Sequence, residues 1–332
     1  ITVPECRVLT LLGPGGIGKT RLAVEAARQA AQESGSVAHF VSLRPVRTVA
    51  AITREIADSL NFTIDLNAAP TVDEATQVID VLSAQRMVLI LDNFEHLREG
   101  AAVVTRIAET APGVKVLATS RERLGIGSEW VHYVTGMAAV EDDAVALFMD
   151  RARQAGAIIG EHDAATIAEI CTALGGMPLA IELAAGWADL LPVSEIASEI
   201  NAGIDFLAGS RIDLPERHRS VRAAFEYSWD RLDPELRESF IGLSVFPAAF
   251  TREAAAAVAG SQLAILRALM DKSLLRRAEL DTYDLHPLLR EFGLDRLGDE
   301  RPAMARKHGE YYVRRLIDRH DRLEGSLEQM EI

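Results

Sequence analysis

The stretch LLGPGGIGKTRLA (residues 11–23) is a glycine-rich loop that ends in Lys-Thr and runs directly into a segment with helical spacing. Residues Gly13 to Thr20 fit the pattern G-x-x-x-x-G-K-[ST], and an apolar run typical of a buried strand precedes them. Glycines let backbone N–H groups wrap a phosphate without a Cβ atom in the way, and the amino end of the next helix favours anions. The sequence therefore predicts a phosphate-binding loop between a strand and a helix.

The side chains of this loop have distinct predicted roles in holding a nucleotide. Lys19 is expected to reach the β- and γ-phosphates, and Thr20 is expected to hold Mg²⁺. Further nucleotide-binding positions are assigned to Gly13, Gly15, Gly16, Ile17, Gly18 and Arg21. The alternative is a glycine-rich turn in which the Lys-Thr pair is coincidental.

A second motif, MVLILDNFEHL (residues 87–97), has the pattern of a buried strand that ends in a carboxylate. A phosphate-binding loop needs such a strand to deliver an acid to the Mg²⁺ shell, so Asp92 is the predicted metal ligand. The alternative is an Asp that caps the next helix. The next residue is Asn93 rather than a second acid, which argues against fast hydrolysis. Glu95 is the nearest other carboxylate, either a catalytic base or an acid favoured by a helix dipole.

Two further candidate positions lie at the ends of other segments. The strand VKVLATS (114–120) is followed by Arg121, a cation placed to meet the γ-phosphate and report its presence; the alternative is a solvated loop arginine. In GGMPLAIELAAG (175–186), Pro178 opens a helix after a glycine pair that ends the previous one. Taken alone, the stretch GGMPLAIELAAG indicates only a corner between two helices.

The order of segments along the chain predicts the fold class. Strand-like runs alternate with helical segments near 19–33, 48–60, 72–84 and 95–109, which predicts an α/β fold with a parallel sheet. Helices alone follow, and then helices with two short strands around a turn at Asp281-Thr282, a winged-helix pattern. The predicted domains are a P-loop nucleotide-binding domain at 1–135, an all-helical domain at 136–212, a winged-helix domain at 213–300 and the start of a C-terminal helical region, which could be a repeat array, at 301–332.

The composition is that of a globular protein, and the charge limits its partners. With 35 basic and 49 acidic residues, the net charge of −14 argues against broad binding to nucleic acid or an anionic membrane. The basic cluster RHRSVR (217–222) is interpreted as a solvated helix start rather than a phosphate contact. Cys6 and Cys171 are too few for a disulfide framework and predict buried thiols in a reducing cytosol. Neither a membrane-spanning run nor a signal peptide is recognised, so we expect a cytoplasmic location.

These motifs stand in an order that resembles the STAND class of signalling ATPases over nearly the whole chain. The order is the loop at 13–20, then LILDNFEHL, LATSRERL, GGMPLAIELAA, RSVRAAFEYSWDRLDPELRESFIGLSVF and LHPLLREFG. Within the class, the chain is most similar to the NB-ARC-like modules of bacterial multidomain regulators, which are related to those of plant resistance proteins and of the apoptotic protease-activating factor.

The resemblance implies roles for residues that the motifs alone leave open. It implies that Pro178 lies against adenine and that His286, in LHP, contacts the ADP β-phosphate and ties the winged helix to a closed state. The alternative for His286 is a histidine packed at a strand-to-helix junction. The chain departs from the family pattern at Pro287, where plant relatives carry an acid, and at Asn93, where a second acid is usual. The family roles carried over to the earlier motifs are phosphate or Mg²⁺ binding by Lys19, Thr20 and Asp92 and sensing by Arg121.

The function expected from this resemblance is a molecular switch. ADP would hold the domains closed, and ATP exchange with an activating signal would open them for assembly into a homo-oligomer, with slow ATP hydrolysis as the reset. The expected ligands are ADP or ATP with Mg²⁺, and the expected partners are sensor and effector domains outside this chain. Two alternatives stay open: a winged-helix DNA-binding regulator with an accessory ATPase, and an AAA-type motor, which Asn93 makes less favourable.

Overall fold

The computed structural model describes Ile1 and residues 3–65, 73–137, 143–208, 220–278 and 281–330, with the side chains of all of these except 161 and 319–330. Residues 217–219, the first half of the predicted basic cluster at 217–222, lie outside the described residues. The chain divides into two compact units: the first unit is Ile1–Gly136 with Met177–Leu179, and the second unit is Met137–Gly176 with Ala180–Ile332. The domain boundaries predicted from the sequence are finer than this division and stay a prediction.

The first unit is built on a five-stranded sheet whose described pairings are all parallel. Its strands are β1 (Val8–Leu12), β2 (Val37–Ser42), β3 (Met87–Asp92), β4 (Val114–Ser120) and β5 (Glu129–Tyr133). Their order across the sheet is β2-β3-β4-β1-β5. Because parallel strands end at the same edge, the segments that follow β1, β3 and β4 lie side by side there.

Helices cover both faces of this sheet. They are α1 (Lys19–Ser34), α2 (Val49–Ser59), α3 (Glu74–Ser83) and α4 (Ala101–Thr110). Successive residues of β3 point to opposite faces, so Ile90 packs in the core with α1 whereas Leu91 packs in the core with α2, α3 and α4. Since β3 is apolar and buried along its whole length, only its carboxyl end presents a polar side chain, Asp92.

The second unit is largely helical. Its helices are α5 (Asp143–Ala155), α6 (Ala164–Ala173), α7 (Pro178–Ala185), whose first two residues belong to the first unit, α8 (Val193–Ala202), α9 (Val221–Trp229), α10 (Pro234–Leu243), α11 (Arg252–Ala259), α12 (Leu263–Asp271), α13 (Pro287–Leu297) and α14 (Arg301–Met330). Helix α10 begins as its sequence predicts, with Asp233 accepting the Leu236 N–H at 2.9 Å and Pro234 in the first position.

A small antiparallel sheet in the second unit carries the winged-helix pattern. Its strands β6 (Phe250–Thr251), β7 (Arg276–Arg277) and β8 (Thr282–Asp284) lie in the order β6-β8-β7. Asp281 precedes β8 with φ 60°, a left-handed conformation that Asp tolerates better than most residues. The hairpin predicted around Asp281-Thr282 is therefore present, with Thr282 already part of the strand.

The predicted fold class is confirmed: a P-loop-type α/β parallel sheet is followed by helical and winged-helix parts. One predicted helix is shorter than expected. The helix predicted near 95–109 begins at Ala101, because two short 3-10 turns, Phe94–His96 and Arg98–Gly100, precede it. Among the described residues, no single helix has the length and apolar character to cross a membrane. The helices α11 and α12, which meet at a bend, reach the required length and apolar composition only when they are taken together.

Candidate functional site

The loop between β1 and α1 has the backbone of an anion cradle. Gly16 has φ 84° and Gly18 has φ 96°, both in the left-handed region that favours glycine. Gly18 also caps α1, and no side chain of the cap accepts a hydrogen bond from the first turn. The amide groups at this helix end are therefore suited to a negatively charged ligand.

Lys19 folds back over this loop. Its Nζ donates hydrogen bonds to the carbonyl oxygens of Gly13, at 2.8 Å, and Pro14, at 2.9 Å. Burial and the positive charge of Arg121 lower the pKa of Lys19 to about 7, although the charges of Glu95 and Asp92 partly offset this. An anion held between the two cations would relieve this repulsion, so the charge distribution fits a phosphate.

Asp92 lies at the carboxyl end of β3 and is almost completely buried. Its Oδ1 accepts hydrogen bonds from the hydroxyl groups of Thr20, at 2.6 Å, and Thr119, at 2.8 Å. The two residues predicted to hold Mg²⁺, Thr20 and Asp92, are thus brought into direct contact. A hydroxyl and a carboxylate are oxygen donors of the kind that Mg²⁺ prefers, so this pair fits the ion.

Arg121 and Glu95 form a buried ion pair beside the loop. Arg121 Nε lies 3.3 Å from Glu95 Oε1, and their side chains are only 6% and 4% exposed. The guanidinium group lies against Gly15, where a Cβ atom would be 2.7 Å from Nη2. Glu95 Oε2 is buried without a hydrogen-bond partner among the described residues. The pair therefore leaves one carboxylate oxygen of Glu95 open to a water molecule or a ligand.

Asn93 has a backbone conformation that explains its residue type. Its φ is 69°, its N–H donates to Thr119 Oγ1 at 2.9 Å, and its Nδ2 lies 3.3 Å from His96 Nδ1. Asn adopts the left-handed region more readily than Glu does. The departure from a second acid at this position is therefore consistent with the local turn.

Pro178 is brought to the loop by the short segment that belongs to the first unit. Leu179 N–H donates to the Gly16 carbonyl oxygen at 3.2 Å, and Pro178 Cγ lies 3.5 Å from the place of a Cβ atom on Gly18. The start of α7 thus packs on the phosphate-binding loop. The contact of Pro178 with adenine stays a prediction.

His286 lies in the second unit, at the start of α13. Its Nδ1 accepts the Leu288 N–H at 3.3 Å, which requires the tautomer with hydrogen on Nε2, and Nε2 donates to the Gly175 carbonyl oxygen at 3.2 Å. Burial lowers the pKa of His286 to about 4, so the ring is neutral near pH 7. Its contact with a nucleotide phosphate stays a prediction.

The remaining predicted residues divide between interior and surface. Ile17 is buried, so its side chain is not available to a ligand and its predicted role falls to its backbone. Arg21 is exposed on the first turn of α1. Arg222, the last residue of the predicted basic cluster, pairs with Asp205 and, at 2.6 Å, with Asp295, and these partners compete with any phosphate.

Three residues of the site were missed by sequence reasoning. They are Arg44, Thr119 and Leu179. Arg44 Nε lies 3.8 Å from Asp92 Oδ2, the Thr119 hydroxyl donates to Asp92 Oδ1, and the Leu179 N–H donates to the Gly16 carbonyl oxygen. Thr119 could have been found as a polar residue at the end of a strand adjacent to β3. Arg44 gave no comparable signal, because its proximity to Asp92 depends on the pairing of β2 with β3.

The chain is similar to known proteins across most of its length. Residues 2–149 match the model of the NB-ARC domain. A Mycobacterium tuberculosis protein named "Putative HTH-type transcriptional regulator" is 34% identical over 321 residues, which are 92% of this chain and 36% of that protein. The Regulatory protein AfsR of Streptomyces griseus is 29% identical over 332 residues, 94% of this chain and 32% of AfsR. The chain thus spans about a third of the length of these curated relatives.

A solved structure supports the fold. A Walker-type ATPase of Pyrococcus abyssi superposes with a TM-score of 0.55 at 13% identity, covering 86% of this chain and 91% of that one. The NB-ARC match covers the loop, Asp92 and Arg121, and NB-ARC domains bind nucleotides. The chain is therefore a member of the STAND class of P-loop ATPases, with an NB-ARC nucleotide-binding domain over residues 2–149.

Proposed function

We propose that this chain is an adenine-nucleotide switch within a signalling or transcription-regulatory protein, closed with ADP and opened for oligomerisation by exchange for ATP. The observation that carries the proposal is the convergence of Lys19, Arg121 and Asp92 on one glycine loop at a helix amino end. Two cations suit the phosphates, and the carboxylate with Thr20 suits Mg²⁺.

The residues of the loop region share the task of holding the nucleotide. The backbone of Gly13, Gly15, Gly16, Ile17 and Gly18 and the start of α1 with Arg21 surround the phosphates, and Lys19 neutralises them. Bound Mg²⁺ would supply positive charge that offsets the charge of the β- and γ-phosphates. Arg121 would recognise the γ-phosphate, which supports a difference between the ADP and ATP states. Pro178 would lie against the adenine ring.

A chain of contacts supports coupling between the loop and the winged helix. Leu179 packs on Gly16 within the first unit, and His286 holds the Gly175 carbonyl oxygen within the second unit. Only Gly176, Met177 and Pro178 separate Gly175 from Leu179 along the backbone. A displacement at the loop would therefore pass through this short segment to His286, whose proposed role is to stabilise the ADP state.

Hydrolysis is proposed to be slow and to reset the switch. The side chain of Asn93 is an amide and cannot act as a base toward water. The Oε1 atom of Glu95 is paired with Arg121. Glu95 Oε2 is the one oxygen of this carboxylate that remains for a general-base role. We expect turnover below about 1 s⁻¹, at the low end of the enzyme range, which also separates this protein from an AAA-type motor.

The proposal includes a cytoplasmic location, sensor and effector domains outside this chain, and a homo-oligomer in the ATP state. The name of the mycobacterial relative supports a role in transcription regulation, and the name of AfsR supports a regulatory role. The winged-helix pattern and the HTH-type name favour direct DNA binding as a second candidate. The net charge of −14 and the pairing of Arg222 with two carboxylates speak against it for this chain.

The switch is tested by comparing the chain loaded with ADP and with a non-hydrolysable ATP analogue plus Mg²⁺. Light scattering after size-exclusion chromatography should find a monomer with ADP and a larger species with the analogue, and Arg121→Ala should reduce the difference. The same mass in both states would contradict the switch. A gel shift with random duplex DNA tests the second candidate, and tight salt-resistant binding would favour it.

A further inference from the structure

Arg44 stands beside the predicted metal ligand because of the pairing of two strands. Ser42, the last residue of β2, is the register partner of Asp92, and the Leu43 N–H donates to the Asp92 carbonyl oxygen at 3.0 Å. The backbone therefore directs Arg44 along the carboxyl end of β3. Its Nε lies 3.8 Å from Asp92 Oδ2.

The two oxygens of Asp92 have different surroundings. Oδ1 accepts hydrogen bonds from two hydroxyl groups, those of Thr20 and Thr119. Oδ2 faces the guanidinium group of Arg44, at a distance that gives charge attraction without a hydrogen bond. Arg44 Nε is buried and makes no hydrogen bond with the described residues, although the side chain as a whole is 37% exposed. Its position is therefore held by charge attraction rather than by a directional contact.

We propose that Arg44 is a built-in counter-cation that competes with the divalent metal ion for Asp92 Oδ2. A buried carboxylate needs a compensating positive charge when no ion is bound, and Arg44 supplies it. The same oxygen is the one that the hydroxyl groups leave available to Mg²⁺. Two cations at one oxygen repel each other, so Arg44 lowers the affinity for the ion and its side chain must withdraw when the ion binds.

This inference rests on the proposed function in one respect, the presence of a divalent ion beside Asp92. It adds a residue that sets how tightly the ion is held and that links its binding to the end of β2. Arg44 is a positioning residue here, because it acts on the ion through Asp92. Its removal should therefore change metal affinity in the direction opposite to the loss of a ligand.

The test is titration of Mn²⁺, followed by electron paramagnetic resonance, into the ADP-loaded and desalted chain. Arg44→Gln should bind Mn²⁺ about 5- to 10-fold more tightly than the wild type, because a unit charge near the carboxylate is removed. Arg47→Gln is the matched control, since Arg47 is exposed on the same loop and donates only to the backbone oxygens of Arg44 and Val46 in the hydrogen bonds that the structure describes. It should change the affinity less than about twofold, because solvent and salt screen the charge of an exposed side chain. Asp92→Asn should lose Mn²⁺ binding.

A second measurement excludes a purely structural role for Arg44. Without metal, Arg44→Gln should melt at a lower temperature than the wild type, and saturating Mn²⁺ should raise its melting temperature by more. Unchanged or weaker Mn²⁺ binding in Arg44→Gln would overturn the inference while leaving the proposed function intact if Asp92→Asn still abolishes binding. Failure of every variant and of the wild type to bind Mn²⁺ would overturn both.

Discussion

At the scale of single residues, the site depends on the positive charge of Lys19, although the surroundings of this side chain disfavour its charged form. Its pKa of about 7 follows from burial and from Arg121, which lies against Gly15 of the same loop. A phosphate reverses this preference because it stabilises the charged amine. Ligand binding and protonation of Lys19 are therefore linked.

We expect ADP binding at about pH 8.5 to take up close to one proton, since Lys19 is mostly neutral without ligand and charged with it. Isothermal titration calorimetry in buffers of different ionisation enthalpy measures this uptake. Lys19→Arg, which stays charged at all accessible pH values, should bind with much less uptake. An uptake near zero in the wild type would show that Lys19 does not change its protonation with the ligand.

The ligand-free chain should also respond to pH through Lys19. Its folded pKa lies below the value of 10.5 expected in the unfolded chain, so the unfolded state holds more protons between about pH 7 and pH 10.5. The free energy of unfolding should therefore rise with pH over that window, by comparison with Lys19→Met, which has no such group. Chemical denaturation of both proteins at several pH values measures the difference, and parallel curves would contradict it.

Gly15 is predicted to be needed for the approach of Arg121 to the loop. A Cβ atom at Gly15 would lie 2.7 Å from Arg121 Nη2, and the buried guanidinium has little room to move. Gly15→Ala should lower the free energy of unfolding by about 1–3 kcal/mol, as overpacking does, and weaken ADP binding. Gly127→Ala is the control, because nothing lies within 4 Å of its Cβ position. Equal effects of the two substitutions on stability and ADP affinity would refute this role.

At the scale of elements, His286 fixes the start of α13. Its Nδ1 caps the helix and its Nε2 holds Gly175, so the ring is useful to the fold only when neutral. Arg276, Asp284 and Arg290 are the charged groups around it: the arginines lower its pKa, Asp284 raises it, and burial has the largest effect. Asp284, the last residue of β8, accepts hydrogen bonds from Arg276 Nη2 of β7, at 2.6 Å, and from Arg290 Nη2 of α13, at 2.8 Å.

We expect His286 to make the second unit sensitive to acid. Its folded pKa of about 4 lies below the unfolded value of 6.5, so the unfolded state holds more protons between these pH values and stability falls as pH falls through them. The loss should be on the order of 3 kcal/mol relative to His286→Asn, which keeps a capping side chain without a titrating ring. Denaturation of both proteins between these pH values measures it. Identical pH profiles would mean that His286 titrates normally.

The elements also show how far the sequence could predict the site. The alternation of strands and helices predicted the parallel sheet, and the ends of β1, β3 and β4 brought Lys19, Asp92 and Arg121 together, because parallel strands end at one edge. Glu95 was predicted as a catalytic base or as an acid favoured by a helix dipole, and its pairing with Arg121 was not predicted. That pairing depends on the 3-10 turn Phe94–His96, which lies where the sequence predicted the start of a helix.

At the scale of the whole molecule, the sequence motifs predicted the STAND class and the fold, whereas contacts between distant segments were beyond them. Arg44 reaches Asp92 across paired strands, and Leu179 reaches Gly16 from a position far along the chain. Such contacts depend on strand register and on the path of the segment Met177–Leu179, neither of which has a local signal.

The central claim is that the loop from Gly13 to Thr20 holds an adenine nucleotide, and the most direct measurement is the nucleotide content of the freshly purified chain. The protein is denatured, and the released nucleotides are separated by ion-exchange chromatography and quantified against protein. The account predicts ADP at close to one molecule per chain for the wild type and almost none for Lys19→Ala, whose circular dichroism should be unchanged. Equal ADP content in the two proteins, or no adenine nucleotide in the wild type, would contradict it.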